Sequence, residues 1–357
     1  MSADLRLDSH KLLLHPRRVA SWLDGEDVFP IYAEFSPSGA CNHRCRFCAL
    51  DYVGYRPRFL DAAVLAERLA ELGRLGLRSA MYAGEGEPLL HREIAGIVGA
   101  TVDAGIDAAI TTNAVLLTRE LARELLPRLT WLRVSLNAGT AATYAGLHRT
   151  RPEDFERVLA NLAAAVEERR RSEAACTLGA QMLLLPENAE EVVGLARALA
   201  AIGADYLSVK PYSQHHFSHT REFEEVDYAR FEGLRQEVAA AAPGPFRVIF
   251  REQAAAKLAP GRDRGYGSCL ALPFWTYVDA GADVWACSAF LGDDRFRLGN
   301  LAETTFEGIW RGEARRRFLR DVLPALDTTA CRRGCRMDEI NRYLWELTHP
   351  APHANFI

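Results

Sequence analysis

From residue 31 to about 250, short apolar runs alternate with segments whose apolar positions recur every three or four residues. The run "IYAEFS" predicts a first strand. After Asp61, the residues Leu65, Leu69 and Leu72 share one helical face before Gly73 and Gly76, as a glycine-stopped helix would. "RSAMYAG" predicts a second strand, and Ile94, Ile97, Val98 and Val102 line the helix after it up to Gly105. The pattern continues with the strand "AAITTNA", a helix opened by Thr118, the strand "WLRVSLNAG", and a helix after Pro152 that aligns Phe155, Val158, Leu159, Leu162 and Val166. "TLGAQMLLL" and "YLSVKPY" are strands five and six, each followed by a helix (186–202 and 226–238), and "FRVIF" closes the series.

Strands and helices that alternate in this way imply right-handed crossovers and a parallel sheet. The fold class expected is α/β, a partial (β/α)6 TIM-like barrel over residues 31–255, preceded by an N-terminal extension, 1–30. Chemistry in such folds gathers at the C-terminal ends of the strands. After about residue 255 the texture changes. "APGRDRGYGS" is a link rich in glycine and arginine, "FWTYVDAGADVWAC" predicts a hairpin turning at Ala280-Gly281, and a helix is expected near Thr304–Leu319. Four of the eight cysteines lie in this tail, so residues 256–357 are expected to form a small α+β module built around a metal.

Composition narrows the function classes. Hydrophobic residues make up 49% of the 357, enough for a large core, and the net charge of −4 argues against nucleic acid as a partner. No stretch approaches the ~20 apolar residues of a membrane helix, and the N-terminus has no signal-peptide core. A cytoplasmic location is therefore expected. Thiols stay reduced there, so eight cysteines point to metal or catalysis before disulfides.

Cys41, Cys45 and Cys48 lie in "SPSGACNHRCRFCALDY", directly after the first strand. Three thiolates leave one iron of a cubane cluster without a protein ligand. A zinc site completed by His43 is the alternative. The C-x-x-x-C-x-aromatic-C spacing, with Phe47 as the aromatic, resembles the signature of radical S-adenosylmethionine (SAM) enzymes. "YAGEGEPLL" at the end of the second strand resembles that family's Gly-Gly-Glu-Pro motif. Gly86, Glu87 and Pro88 match directly, while Glu85 stands where the first glycine is usual, with Gly84 just before it.

The resemblance implies a [4Fe-4S] cluster whose open iron binds SAM, and a 5′-deoxyadenosyl radical that abstracts a substrate hydrogen. It implies that Glu87 contacts the methionine amino group. Thr112 and Asn113 after strand three, with Ser135 and Asn137 after strand four, are expected around the SAM carboxylate and ribose. Lys210, Pro211 and Tyr212 are expected near the adenine edge. A flavodoxin- or ferredoxin-type reductant is the implied electron source.

Cys269, Cys287, Cys331 and Cys335 can ligate every corner of a second cubane, with a zinc ribbon as the alternative. The set resembles the abbreviated twitch form of the SPASM auxiliary-cluster domain, which implies two [4Fe-4S] clusters in all. Cys176 precedes strand five and is expected to be an ordinary buried residue. Lys210, Tyr212, His215 and His216 are the candidate catalytic side chains, since a histidine there can deprotonate a substrate. His219, Gln181, Met182, Tyr52, Tyr55 and Arg56 are weaker candidates. The function expected is oxidation or epimerisation at a hydroxyl-bearing carbon of a sugar, aminocyclitol or nucleotide-sugar, hence a small-molecule substrate. The alternatives are a maturase acting on a ribosomal precursor peptide and a non-catalytic iron–sulfur protein. The ~30 residues before the first strand are too few for a leader-binding domain with its own core, which favours the small molecule.

Overall fold

The computed structural model describes residues 9–356 apart from 229, 230, 232, 242–244 and 260. Helix α1 (Pro16–Leu23) precedes strand β1 (Tyr32–Phe35). The alternating series then runs α2 (Ala62–Arg74), β2 (Ser79–Tyr82), α3 (Ile94–Asp103), β3 (Asp107–Thr112), α4 (Arg119–Leu125) and β4 (Leu129–Ser135). It continues with α5 (Ala141–His148), α6 (Glu153–Arg171), β5 (Thr177–Leu184), α7 (Val192–Ile202), β6 (Tyr206–Pro211), α8 (Leu234–Ala241), β7 (Arg247–Phe250) and the short α9 (Glu252–Ala256). The helices start where side chains satisfy exposed N–H groups. Asp61 accepts from Ala63 and Val64 at 2.9 and 3.0 Å, and Thr118 accepts from Leu121 at 3.2 Å. Each such cap contributes about 1 kcal/mol.

Helix α5 is not predicted by the hydrophobic pattern; Thr140 caps it, and its last residue, His148, enters the site described below. The start of the helix expected over 226–238 touches residues outside the described set, and α8 begins at Leu234. The helix expected near 304–319 is divided at Gly312 into α10 (Phe306–Trp310) and α11 (Glu313–Arg317).

The sheet has ten strands in the order β10-β9-β8-β1-β2-β3-β4-β5-β6-β7. β1 to β7 are parallel, which makes "FRVIF" a seventh barrel strand. The predicted hairpin forms as β8 (Trp275–Val278) and β9 (Asp283–Trp285), and β10 (Arg297–Asn300) extends it. β8 also pairs in parallel with β1, Glu34 opposite Tyr277, so the C-terminal segment continues the barrel's own sheet. The fold is thus an open, partial TIM-like barrel.

Alternation along each strand divides the side chains between two environments. Ala33, Phe35, Leu132, Val134, Leu207 and Val209 join the core beneath the helices. Their neighbours Tyr32, Glu34, Arg133, Ser208 and Lys210 point to the opposite face, into the barrel lumen. The C-terminal segment is tied back at two further points. Glu71 on α2 accepts the N–H groups of Phe306 and Glu307 at 3.0 and 2.8 Å, and Trp310 donates to the carbonyl of Val28 at 2.9 Å. No helix among the described residues is long and apolar enough to cross a membrane. The last helix, α12 (Asp338–Thr348), follows the final cysteine.

Candidate active site

The loop after β1 carries Cys41, Cys45 and Cys48 and is held by its neighbours rather than by secondary structure of its own. Arg44 and Arg46 donate their N–H groups to the carbonyls of His148 and Leu147 at the end of α5, at 3.1 and 2.9 Å. Ser218, in the loop after β6, donates to the carbonyl of Cys48 at 3.0 Å, and Asp51 accepts from the backbones of His219 and Thr220. Phe47 is buried edge-on against His148, with ring centroids 5.3 Å apart, and packs with Leu147, Leu185, Tyr212 and Phe223.

The three thiols, carried on one eight-residue loop, act electrostatically on one another. Burial first, and then these neighbours, push Cys45 well above the usual thiol range; Cys41 is pushed up to about 12, mainly by burial. Three thiolates cannot share this enclosure without a compensating cation, so the donor set fits a metal cluster.

The GEGEP segment packs against that loop. A Cβ on Gly86 would lie 2.0 Å from the Ala40 carbonyl oxygen and 2.6 Å from that of Ser38, so only glycine permits the approach. Gly84 has a φ of +110° and lies against Ser36 and Tyr277. Glu85, the departure from the motif, is buried and turns toward the C-terminal hairpin. It accepts from the Ala280 N–H at 3.3 Å and lies 3.6 Å from Arg58. Burial, then the nearby Asp279, raises its carboxyl to about 7.

Glu87 is spent on internal bonds. It accepts from the N–H groups of Leu89 and Asn113 at 3.0 and 2.8 Å and from the Thr112 hydroxyl, and Pro88 opens the short turn beyond it. Asn113 in turn donates to Asn42 at 2.7 Å. Asn137 accepts from the Leu183 N–H at 2.7 Å and places its amide 3.4 Å from His148. Ser135 ends β4 opposite Gln181. Glu87, Thr112, Asn113, Ser135 and Asn137 therefore gather at one rim, beside the cysteine loop.

The loop after β6 lies across the same rim. Tyr212 is buried, its N–H donated to Tyr228 at 2.7 Å. His215 is also buried, stacked on Tyr52 with centroids 5.3 Å apart; its Nδ1 accepts from Phe217, and its Nε2 has no partner among the described residues. Burial, reinforced by Arg332, lowers His215 to about 4, so the ring is neutral near pH 7. His216 is lowered for the same reasons and lines an open groove with Phe217, Phe290 and Cys331. Lys210 points into the lumen below this loop. Cys176 is buried before β5, in the core beneath the helices.

The C-terminal cysteines come from four separated points: ahead of β8, after β9, and the two ends of "CRRGC". Cys335, Cys269 and Cys331 all act electrostatically on Cys287. Burial and this crowding raise Cys269 to about 12 and Cys331 to about 11, again a donor set that fits a cationic cluster. Asn341 on α12 donates to the Cys269 sulfur at 3.5 Å, and the Met337 N–H donates to Cys335 at 3.4 Å. Arg332, between the last two cysteines, reaches back to Ser213 after β6 at 3.2 and 2.6 Å. The hydrophobic pattern misses Arg332 and His148, since each acquires its role only from a chain segment distant in sequence.

The model of the radical SAM superfamily matches residues 35–199, and that of an iron–sulfur cluster-binding domain, SPASM, matches residues 269–336. A GTP 3′,8-cyclase of Chlorobaculum tepidum is 33% identical over 129 residues, 36% of this chain and 38% of the relative. One from Stenotrophomonas maltophilia strain K279a is 40% identical over 117 residues, 31% of this chain and 34% of the relative. The chain thus spans under two fifths of the length of these curated relatives. Among solved structures, Streptococcus suis SuiB bound to SAM has a TM-score of 0.65 at 20% identity, covering 88% of this chain and 71% of that one. The protein anSMEcpe with bound SAM gives 0.57 at 16% identity, covering 81% and 82%.

These findings correct the expected function. Oxidation or epimerisation of a sugar or aminocyclitol is not supported: the relatives are GTP 3′,8-cyclases and the neighbours include SuiB, solved elsewhere with a precursor peptide. The paired matches, over the residues that carry both cysteine sets, place the chain in the radical SAM superfamily, with a C-terminal SPASM-type domain and with SAM and two [4Fe-4S] clusters as its cofactors.

Proposed function

We propose that the protein is a radical SAM enzyme that oxidises a residue of a peptide substrate at the mouth of the barrel. The observation that carries this reading is the open groove of ≈ 390 Å³ between the β6 loop and the C-terminal segment, lined by His216, Phe217, Phe290, Val322, Leu326 and Cys331. Its walls are aromatic and aliphatic, and Arg295, Asp321 and Asp327 also line it. Apolar walls with a few charged groups suit an extended chain, whose side chains fill the walls while its backbone bonds to polar groups. SuiB bound to precursor peptide SuiA and anSMEcpe with the Kp18Cys peptide support the same substrate class.

In this reading Cys41, Cys45 and Cys48 hold the cluster that binds SAM, and Cys269, Cys287, Cys331 and Cys335 hold the auxiliary one. When bound, the first would supply the one-electron chemistry that cleaves SAM, and the second would accept the electron the substrate gives up as it is oxidised. The chain's own residues do the remaining work. Glu87 fixes Thr112 and Asn113 at the rim where SAM docks. His216 lines the groove, its Nε2 has no partner among the described residues and burial lowers its pKa, and it takes the proton that the substrate releases. A flavodoxin- or ferredoxin-type protein of the cytoplasm supplies the electrons.

A second reading, a purine nucleotide as substrate, is favoured by the GTP 3′,8-cyclase relatives. Anaerobic reaction with SAM and a chemical reductant separates the two. The peptide reading expects 5′-deoxyadenosine together with a peptide lighter by two hydrogens when short peptides encoded beside the gene are supplied. Conversion of GTP instead, with every such peptide unchanged, would overturn it.

A further inference from the structure

Helix α12 carries a buried stripe of Asp338, Asn341 and Leu344, neighbours on one helical face. Leucine would fill the middle of that stripe without further demands. The polar side chain that stands there is 2% exposed and has to find its partners inside the protein. Asn341 finds them on the segment that bears Cys269. Its Oδ1 accepts from the N–H groups of Leu270 and Ala271 at 2.7 and 2.8 Å. Backbone N–H groups only donate, so the atom facing them is the oxygen. The amide nitrogen is thereby left facing the Cys269 sulfur, at 3.5 Å.

The helix that presents this amide is itself firmly anchored. Tyr266 donates to Asp338 at 2.9 Å and Arg342 donates to it at 3.2 Å. Arg264 donates to the carbonyls of Cys331 and Arg332 at 2.5 and 3.2 Å. Ile340, Tyr343 and Leu344 pack with Val19, Val28 and Phe274. At the start of α12 the Met337 N–H donates to the Cys335 sulfur at 3.4 Å, and the Met337 carbonyl accepts from the Asn341 N–H at 2.8 Å. Turning the Asn341 amide away from Cys269 would leave the Leu270 and Ala271 N–H groups unpaired, which is costly in a buried place. An N–H donated to a thiolate ligand favours the more negative, reduced state of a cluster and so raises its potential.

We infer that Asn341 is a positioning residue of the auxiliary centre, which orients Cys269 and, by donating to its sulfur, raises the reduction potential of the cluster that Cys269 helps to hold. The inference needs no particular substrate, so it stands or falls apart from the peptide reading.

The test is a redox titration of the anaerobically purified, two-cluster protein, followed by electron paramagnetic resonance. The auxiliary signal is the one that added SAM leaves unchanged. Asn341→Leu is expected to make its reduction about tenfold less favourable, a fall of about 59 mV for one electron, with the SAM-binding cluster unmoved. Asn341→Asp keeps an acceptor for Leu270 and Ala271 but offers the sulfur no N–H, and should lower the potential at least as far. In protein isotopically labelled at the asparagine side-chain nitrogen, the reduced auxiliary cluster should show a nitrogen hyperfine coupling that Asn341→Leu removes. If Asn341→Leu fails to load its cluster, Asn341→Asp and the coupling in the unaltered protein decide the matter. Absence of that coupling, or an unchanged auxiliary potential in the variants that retain their iron, would overturn the assignment.

Discussion

The Sγ of Cys45 lies 3.4 Å from Nδ1 of His148, and the surroundings decide which atom is the donor. Asn137 accepts from the Leu183 N–H through its Oδ1, so its amide N–H₂ faces His148 Nε2. Nε2 must then accept, and burial keeps the ring neutral. The single proton is on Nδ1, aimed at the sulfur. His148→Leu should lower the midpoint potential of the SAM-binding cluster by roughly 60 mV, the scale of one hydrogen bond to a charged group. Redox titration followed by electron paramagnetic resonance reads the shift. An unchanged potential with iron retained would show that the contact does not tune the cluster.

Gly86→Ala is expected to disrupt the SAM site. The added methyl meets backbone oxygens of Ala40 and Ser38, which cannot swing aside as a flexible side chain would. A cost of about 1–3 kcal/mol is expected, with loss of SAM affinity. Thermal unfolding and equilibrium SAM binding would measure both, and a variant with normal SAM affinity would refute the steric account.

Cys287→Ala should separate the two cysteine sets. Iron is expected to fall from about eight to about four per chain. SAM cleavage should persist while substrate oxidation stops. Iron and sulfide assay with product chromatography checks this; full product formation would remove the auxiliary cluster from the reaction.

His215 has a direct consequence for stability against pH. Its folded value, about 4, is below the ordinary histidine range, so the unfolded chain binds the extra proton between about pH 4 and 6.5. Stability contributed by keeping this ring neutral is fully present above that range and is lost as pH falls through it. Denaturant midpoints across pH 4–7 should therefore slope less steeply in His215→Phe. Parallel slopes would mean that the ring titrates normally in the folded protein.

Much of the site was legible because its signals are local. The spacing of Cys41, Cys45 and Cys48 and the GEGEP segment each lie within one loop after one strand, so chain connectivity alone places them at the same rim. The alternation of apolar runs likewise predicted most strands and helices, since amphipathic periodicity survives in short windows. Glu85 was legible only as a departure from a motif. Its contact with Ala280 joins residues 195 apart in sequence, and no window contains both.

What the sequence by itself determined is therefore the cofactor chemistry: two thiol sets, each complete within its own region, on an alternating β/α framework. Tertiary structure decided the rest. Parallel pairing of β8 with β1, the arrival of Arg332 and Arg336 over the lumen, and the approach of His148 to Cys45 all depend on backbone closure between distant segments. Side-chain alternation shows that Arg133 and Lys210 leave the core face. Only the folding back of the C-terminal segment brings Arg336 onto Glu34 of β1, a pairing of residues 302 apart that no local window contains.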